Sequence, residues 1–256
     1  MVIGTNIVPF ITDFVSKLDN AIAQDGSHKK LSAIQKYWLA FCLMGILATQ
    51  SVCWAKFERA SFGRYNSAAL SWVFYHASIP WEKLLKYSVA LILNSYNLTK
   101  GSLVIDDSDN KRSKNTKKIW YVHKLKDKAS GGYIMGQGLV FMVLVTPEIT
   151  IPVGIEFYMP DPEYTAWKKN DDKEKKQGIP AKDRPVKPKK NDKYPTKIEI
   201  AISLVSQFHE FFPNIDIKCI AADALYGTKV FMSGVKNCYP TTQIISQIKK
   251  TQNILF

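Results

Sequence analysis

A chain of 256 residues with 46% hydrophobic residues is long enough for one large domain or two small ones and too apolar for global disorder. Its formal net charge of +13 suits a polyanionic partner, DNA or RNA first, although a basic protein with solvated lysines carries the same charge. The cysteines, Cys42, Cys53, Cys219 and Cys238, form no CxxC pair and no zinc spacing, which excludes a zinc ribbon and suggests reduced thiols in a cytoplasmic protein.

Residues 1–10 lack the basic start of a signal peptide. Residues 1–98 read as a helical N-terminal domain, with apolar residues at helical spacing over 7–18, 34–57 and 81–93. Ser32 and Gln35 form the pattern of a capping box, and Pro80-Trp81-Glu82 is a good helix start. The uncharged run "YWLAFCLMGILATQSVCWA", 37–55, has about the length of a membrane span. Thr49-Gln50-Ser51 interrupts it, so a buried helix and no membrane partner are expected. The aromatics here, Trp38, Phe41, Trp54 and Phe57 among them, have core spacing. Arg59, Arg64, Lys83 and Lys86 offer a DNA-facing side without defining a recognition helix.

The character changes at Lys100-Gly101. Leu103-Val104-Ile105 reads as a strand, as do 133–145 after Gly131-Gly132 and 150–159. Residues 160–195 are rich in lysine and proline and poor in aliphatics, which predicts an exposed basic loop. Residues 196–212 read as an amphipathic helix with Thr196 as N-cap and Glu199 in its first turn. A buried strand, 215–221, then runs into Asp223, and another is expected at 242–248. Strand, strand, strand, helix, strand is the order of a ribonuclease H-like α/β fold with a mixed sheet.

Two places share one design: "LVIDDS" and "IKCIAADALYG" each run an apolar strand into aspartate. Functional crevices of open sheets lie beyond strand ends. If the two strands are parallel neighbours, Asp106 and Asp223 face each other, and a divalent ion such as Mg²⁺ relieves their repulsion. The competing reading makes these acids turn and cap residues; it is preferred at Asp109 and leaves Asp106 and Asp223 undecided.

The set "LVIDDS", "SGGYIMGQGLVFMVLV…TIPVGIEFYMPDP" and "CIAADALYG", with the helical stretch before it, resembles the DDE transposases of bacterial insertion sequences. It spans most of the chain, and the order of the three elements carries it rather than "DDS" alone. The resemblance implies a ribonuclease H-like catalytic domain over 99–256 and two ions, Mg²⁺ or Mn²⁺, held by three acids. Asp106 matches the first acid, with Asp107 the second choice, and Asp223 matches the second. It further implies DNA partners, the element's terminal inverted repeats and a target, and is compatible with a homodimer. Lys111, Arg112, Lys114, Lys117 and Lys118 would hold phosphates, as would lysines of the 160–197 segment.

The sequence departs from the family after Asp223: residues 224–256 hold no Asp and no Glu, so the glutamate of a Y-x-x-R-x-x-x-E helix is missing. The expectation is a C-terminally truncated transposase that is inactive alone. Ribonucleases of this fold place an acid on the helix between the third and fourth strands, which raises Glu199 as a substitute; helix-dipole placement is the preferred reading of it. A non-catalytic DNA binder and a membrane-associated basic protein are also compatible with the sequence. His123 and His209 lack a partner at metal spacing and read as structural.

Overall fold

A computed structural model describes residues 7–24, 26, 30–127 and 129–247. The chain divides into two compact units, Met1–Asn97 and Leu98–Phe256.

The described residues of the first unit form five helices and no strand: α1 (Pro9–Gln24), α2 (Ala33–Thr49), α3 (Trp54–Ala60), α4 (Ser67–His76) and α5 (Trp81–Ser95). Helix α1 buries Ile11, Val15, Leu18 and Ile22, one face at spacings of three and four. Ser32 and Gln35 close the expected capping box on α2. The 34–57 run is not one helix. Gln50 adopts the left-handed conformation at φ 50° and ends α2, and α3 leaves at 82° to it. That bend folds Phe57 back onto Gly45, where a Cβ would sit 2.7 Å from the Phe57 ring. Trp38 and Phe41 are buried at the centre, and the Trp38 indole N–H donates to the Leu70 carbonyl at 2.9 Å. No single helix among the described residues is long and apolar enough to cross a membrane; only the bent α2–α3 pair reaches that length and composition.

The second unit is a mixed open sheet. Its strands are β1 (Lys100–Lys111), β2 (His123–Lys126), β3 (Tyr133–Val145), β4 (Thr150–Tyr158), β5 (Asp216–Ala222) and β6 (Gln243–Ser246). The order is β2-β3-β1-β5-β6, with β4 also paired to β3. β1 runs antiparallel to β3 and parallel to β5, and β5 runs parallel to β6. Helix α7 (Lys197–Phe211) packs on β3, β4 and α8 (Lys229–Lys236). It buries Ile200, Ala201, Leu204, Val205 and Phe208, the stripe its periodicity predicts. Each such large aliphatic contributes about 1.5–3 kcal/mol of burial.

The structure differs from the sequence-based expectation in three places. First, β1 does not stop at Ile105. It continues to Lys111, paired residue by residue with β3, so "DDSDN" is strand rather than turn. The antiparallel partner supplies the hydrogen bonds that turn-forming side chains would otherwise take. Second, residues 160–195 are not all loop. Pro162–Lys176 form helix α6, capped by the Asp161 carboxylate on the Glu163 and Tyr164 amides, with lysines in its last turn. The following segment is tied back by Trp167, which donates to the Pro185 carbonyl at 2.8 Å, and by the Arg184–Asp171 ion pair at 3.0 Å. Third, β2 and α8 lie where no element was expected. The strand expected at 242–248 is present as β6; residue 248 lies outside the described residues.

Candidate metal centre

β1 enters the site as a core strand. Leu103 and Ile105 are buried, and the next two residues are Asp106 and Asp107. The parallel register pairs Leu103 with Ile220 and Ile105 with Ala222, so the next residues along, Asp106 and Asp223, leave the ladder level with each other. A bulge sets this. From Gly101↔Ile217 to Leu103↔Ile220, β5 advances three residues while β1 advances two. Without that extra residue, Ala222 rather than Asp223 would be level with Asp106. β5 ends there and β1 runs on against β3 alone, which opens a gap at the carboxyl end of β5.

Three carboxylates converge on this gap. One oxygen each from Asp106, Asp107 and Asp223 lie within 4.8 Å of one another, and among the described residues this is the group that could hold a metal ion. Asp106 and Asp223 are exposed and Asp107 is half-buried. Asp106 Oδ1 accepts from the Asp107 amide at 2.7 Å, and Asp223 Oδ1 accepts from the Leu225 amide at 2.8 Å. Ser246 at the end of β6 donates to the Asp223 carbonyl at 2.7 Å and so holds the loop after β5. Gly227 closes that loop; a Cβ there would stand 2.4 Å from the Gln247 carbonyl oxygen. Two unit charges at such a separation repel by about 3–4 kcal/mol at an effective dielectric of ~20. The donor set is carboxylate oxygen throughout, which fits a hard divalent cation such as Mg²⁺ or Mn²⁺.

Two further groups reach the carboxylates. Lys197, the first residue of α7, donates from Nζ to Asp107 Oδ2, and this pair is mostly buried. Tyr226 is fully buried, and its hydroxyl has no hydrogen-bond partner among the described residues. Burial first, and then the charges of Asp107, Asp223 and Asp106, push its pKa well above the ordinary tyrosine value. It therefore stays protonated, a buried donor in electrostatic reach of all three acids. Sequence reasoning held Asp107 second and assigned neither Lys197 nor Tyr226 a role. One signal for Lys197 was available: a lysine in the first helical turn opposes the helix dipole and needs a local anion to offset it.

Glu199 lies elsewhere in the hydrogen-bond network. It closes a capping box with Thr196 and pairs with Lys190. Lys190 first, then the Thr196 amide, hold its carboxyl below the usual range. The residue of α7 that touches the aspartates is Lys197. Asp109 faces Gly138 across the β1–β3 ladder and is outside the three-acid group.

The expected phosphate-binding residues divide in two. Lys111 pairs with Asp127 at 2.6 Å, and Arg112 donates to the Gln137 side chain at 3.3 Å. Gln137, the buried glutamine of the GQ strand, in turn donates to the Trp120 carbonyl at 2.7 Å and ties the 112–121 excursion to β3. Lys114, Lys117 and Lys118 are exposed and make no ion pair among the described residues. His123 packs edge-on against Tyr158 and His209 against Tyr239, structural contacts in both cases. The cysteines are free; Cys42 is buried, which pushes its thiol up to about 12, and the other three are half-buried.

Compared with protein-family models, curated proteins and solved structures, the chain matches none.

Proposed function

We propose that residues 98–256 are a metal-dependent DNA strand-processing unit of the DDE transposase kind, built on a ribonuclease H-like sheet, with the helical unit before it contributing to DNA binding. The observation that carries this reading is the parallel β1–β5 register, which sets Asp106 and Asp223 level and gathers three carboxylates within 4.8 Å. An acid cluster alone is a common surface feature. Here burial first, and then the three acids, raise the pKa of the fully buried Tyr226 hydroxyl, which has no acceptor among the described residues.

In this reading Asp106, Asp107 and Asp223 hold Mg²⁺ or Mn²⁺. Held there by Asp106, Asp107 and Asp223, such an ion would supply Lewis-acid stabilisation of the oxygens in a phosphodiester displacement. The exposed Lys114, Lys117 and Lys118 hold the DNA backbone without reading sequence. Residues 224–256 hold no Asp or Glu, so ion and DNA binding with poor cleavage is expected.

Isothermal titration with Mn²⁺ and a DNA nicking assay test this. Expected are Mn²⁺ binding that Asp106→Asn and Asp223→Asn abolish, salt-sensitive duplex binding, and little nicking. Mn²⁺ binding indifferent to both substitutions would overturn the site. Robust Mg²⁺-dependent nicking, lost in Asp106→Ala, would overturn the expectation of poor cleavage.

A further inference from the structure

Lys197 is in an unusual position for a helix residue. It occupies the first turn of α7, where the dipole disfavours a cation, and its ammonium is on Asp107. The two side chains are only 20% and 22% exposed, so the contact is more than a solvated surface pair. The same ammonium stands 5.4 Å from the ring centroid of Tyr158 on β4, an aromatic face that offers it a second place to rest. Across the site, the Tyr226 hydroxyl is a buried donor with no acceptor among the described residues. Three carboxylates and one ammonium meet here, with a buried hydroxyl in electrostatic reach of them.

Resting on the metal-site reading above, we propose that Lys197 is a stand-in for the divalent cation. It neutralises Asp107 when no ion is bound and leaves when an ion takes Asp106, Asp107 and Asp223. It then swings toward Tyr158 and holds a non-bridging oxygen of the substrate phosphate. Lys197 thus opposes the ion and favours the phosphodiester. A lysine that merely braces the fold would do neither.

The test uses the full chain, Mn²⁺ and a fluorescent duplex. Without DNA, Lys197→Met is expected to bind Mn²⁺ roughly tenfold tighter than wild type, because one positive charge has left the site. With Mn²⁺ saturating, the same variant is expected to bind the duplex roughly tenfold more weakly, and Lys197→Arg to retain most of that affinity. Lys197→Gln, which keeps a polar head, should follow Lys197→Met in both measurements and guards against a packing effect of methionine. Unchanged or weaker Mn²⁺ binding in both neutral variants overturns the proposal, as does unchanged duplex affinity. Asp106→Asn separates the two readings. If it abolishes Mn²⁺ binding while Lys197→Met gains nothing, the metal site stands and the Lys197 role falls. If wild type binds no Mn²⁺, or Asp106→Asn leaves binding intact, both fall.

Discussion

Each unit sets acids in a costly place, the helical unit by burial and the sheet unit by mutual repulsion, and they treat them oppositely. In the helical unit, Asp19 is 4% exposed, accepts the Leu31 amide at 2.6 Å and pairs with Lys36 at 3.1 Å. That carboxylate finds its partners within the chain, and it joins α1 to the start of α2. In the sheet unit, three carboxylates share one lysine and two local amides, and a buried hydroxyl beside them has no partner among the described residues. A satisfied buried charge holds a fold together. The three-acid cluster carries more negative charge than its one lysine offsets, which is what the proposed cation would balance.

The comparison can be broken most forcefully at Asp223. Asp223→Asn should weaken Mn²⁺ binding about 100-fold or more while leaving urea stability close to wild type, since the lost carboxylate repels its neighbours. A large stability loss with unchanged Mn²⁺ affinity would make the cluster structural after all. Asp19→Ala should do the reverse. It leaves the Leu31 amide and Lys36 without their partner, which costs about 2–4 kcal/mol in urea unfolding, with Mn²⁺ affinity unchanged. Tyr226→Phe sharpens the contrast through its sign. Removing an unpaired buried hydroxyl should be neutral or stabilise the ion-free chain by up to ~1 kcal/mol, with duplex affinity unchanged. Destabilisation by more than that would mean the hydroxyl has a structural partner.

The smallest effect belongs to Glu199. Glu199→Ala removes a capping box and should cost about 0.5–1 kcal/mol with Mn²⁺ affinity unchanged. Its pH dependence has a definite sign. Lys190 depresses the folded-state pKa, so the Glu199 contribution is present above the ordinary glutamate pKa and is lost as pH falls through the depressed value. Wild type should therefore lose more stability than Glu199→Ala across that acidic window. Parallel acid unfolding curves would contradict the capping role.

Much of this was legible in the residues. Strand β3 is Tyr133–Val145, as its continuous apolar run indicated; Val140, Met142 and Leu144 are buried on one face, while Phe141 and Val143 on the other are half-buried. The α7 stripe and the Ser32–Gln35 box were equally plain, being local patterns with local causes. The helix at 162–176 was hidden because it buries no residue; with no apolar face, periodicity has nothing to report. Asp161-Pro162 was its visible signal, a cap followed by proline in the first turn. The β1 extension was hidden because "DDSDN" has turn composition, and only the presence of β3 alongside keeps it extended.

For the site, the residues alone marked the candidates. Two apolar strands running into aspartate marked Asp106 and Asp223, and charge repulsion gave the reason a cation would suit them. Tertiary structure decided how they meet. The bulge in β5 advances its register by one residue, and because side chains alternate with period two, that residue decides whether an aspartate or an alanine stands level with Asp106. The same tertiary packing selected Lys197 over Glu199 as the α7 residue on the carboxylates and buried the Tyr226 hydroxyl without a partner among the described residues. Contacts between residues 90 positions apart, such as Asp107 and Lys197, follow from where α7 crosses the sheet, and no local pattern encodes that.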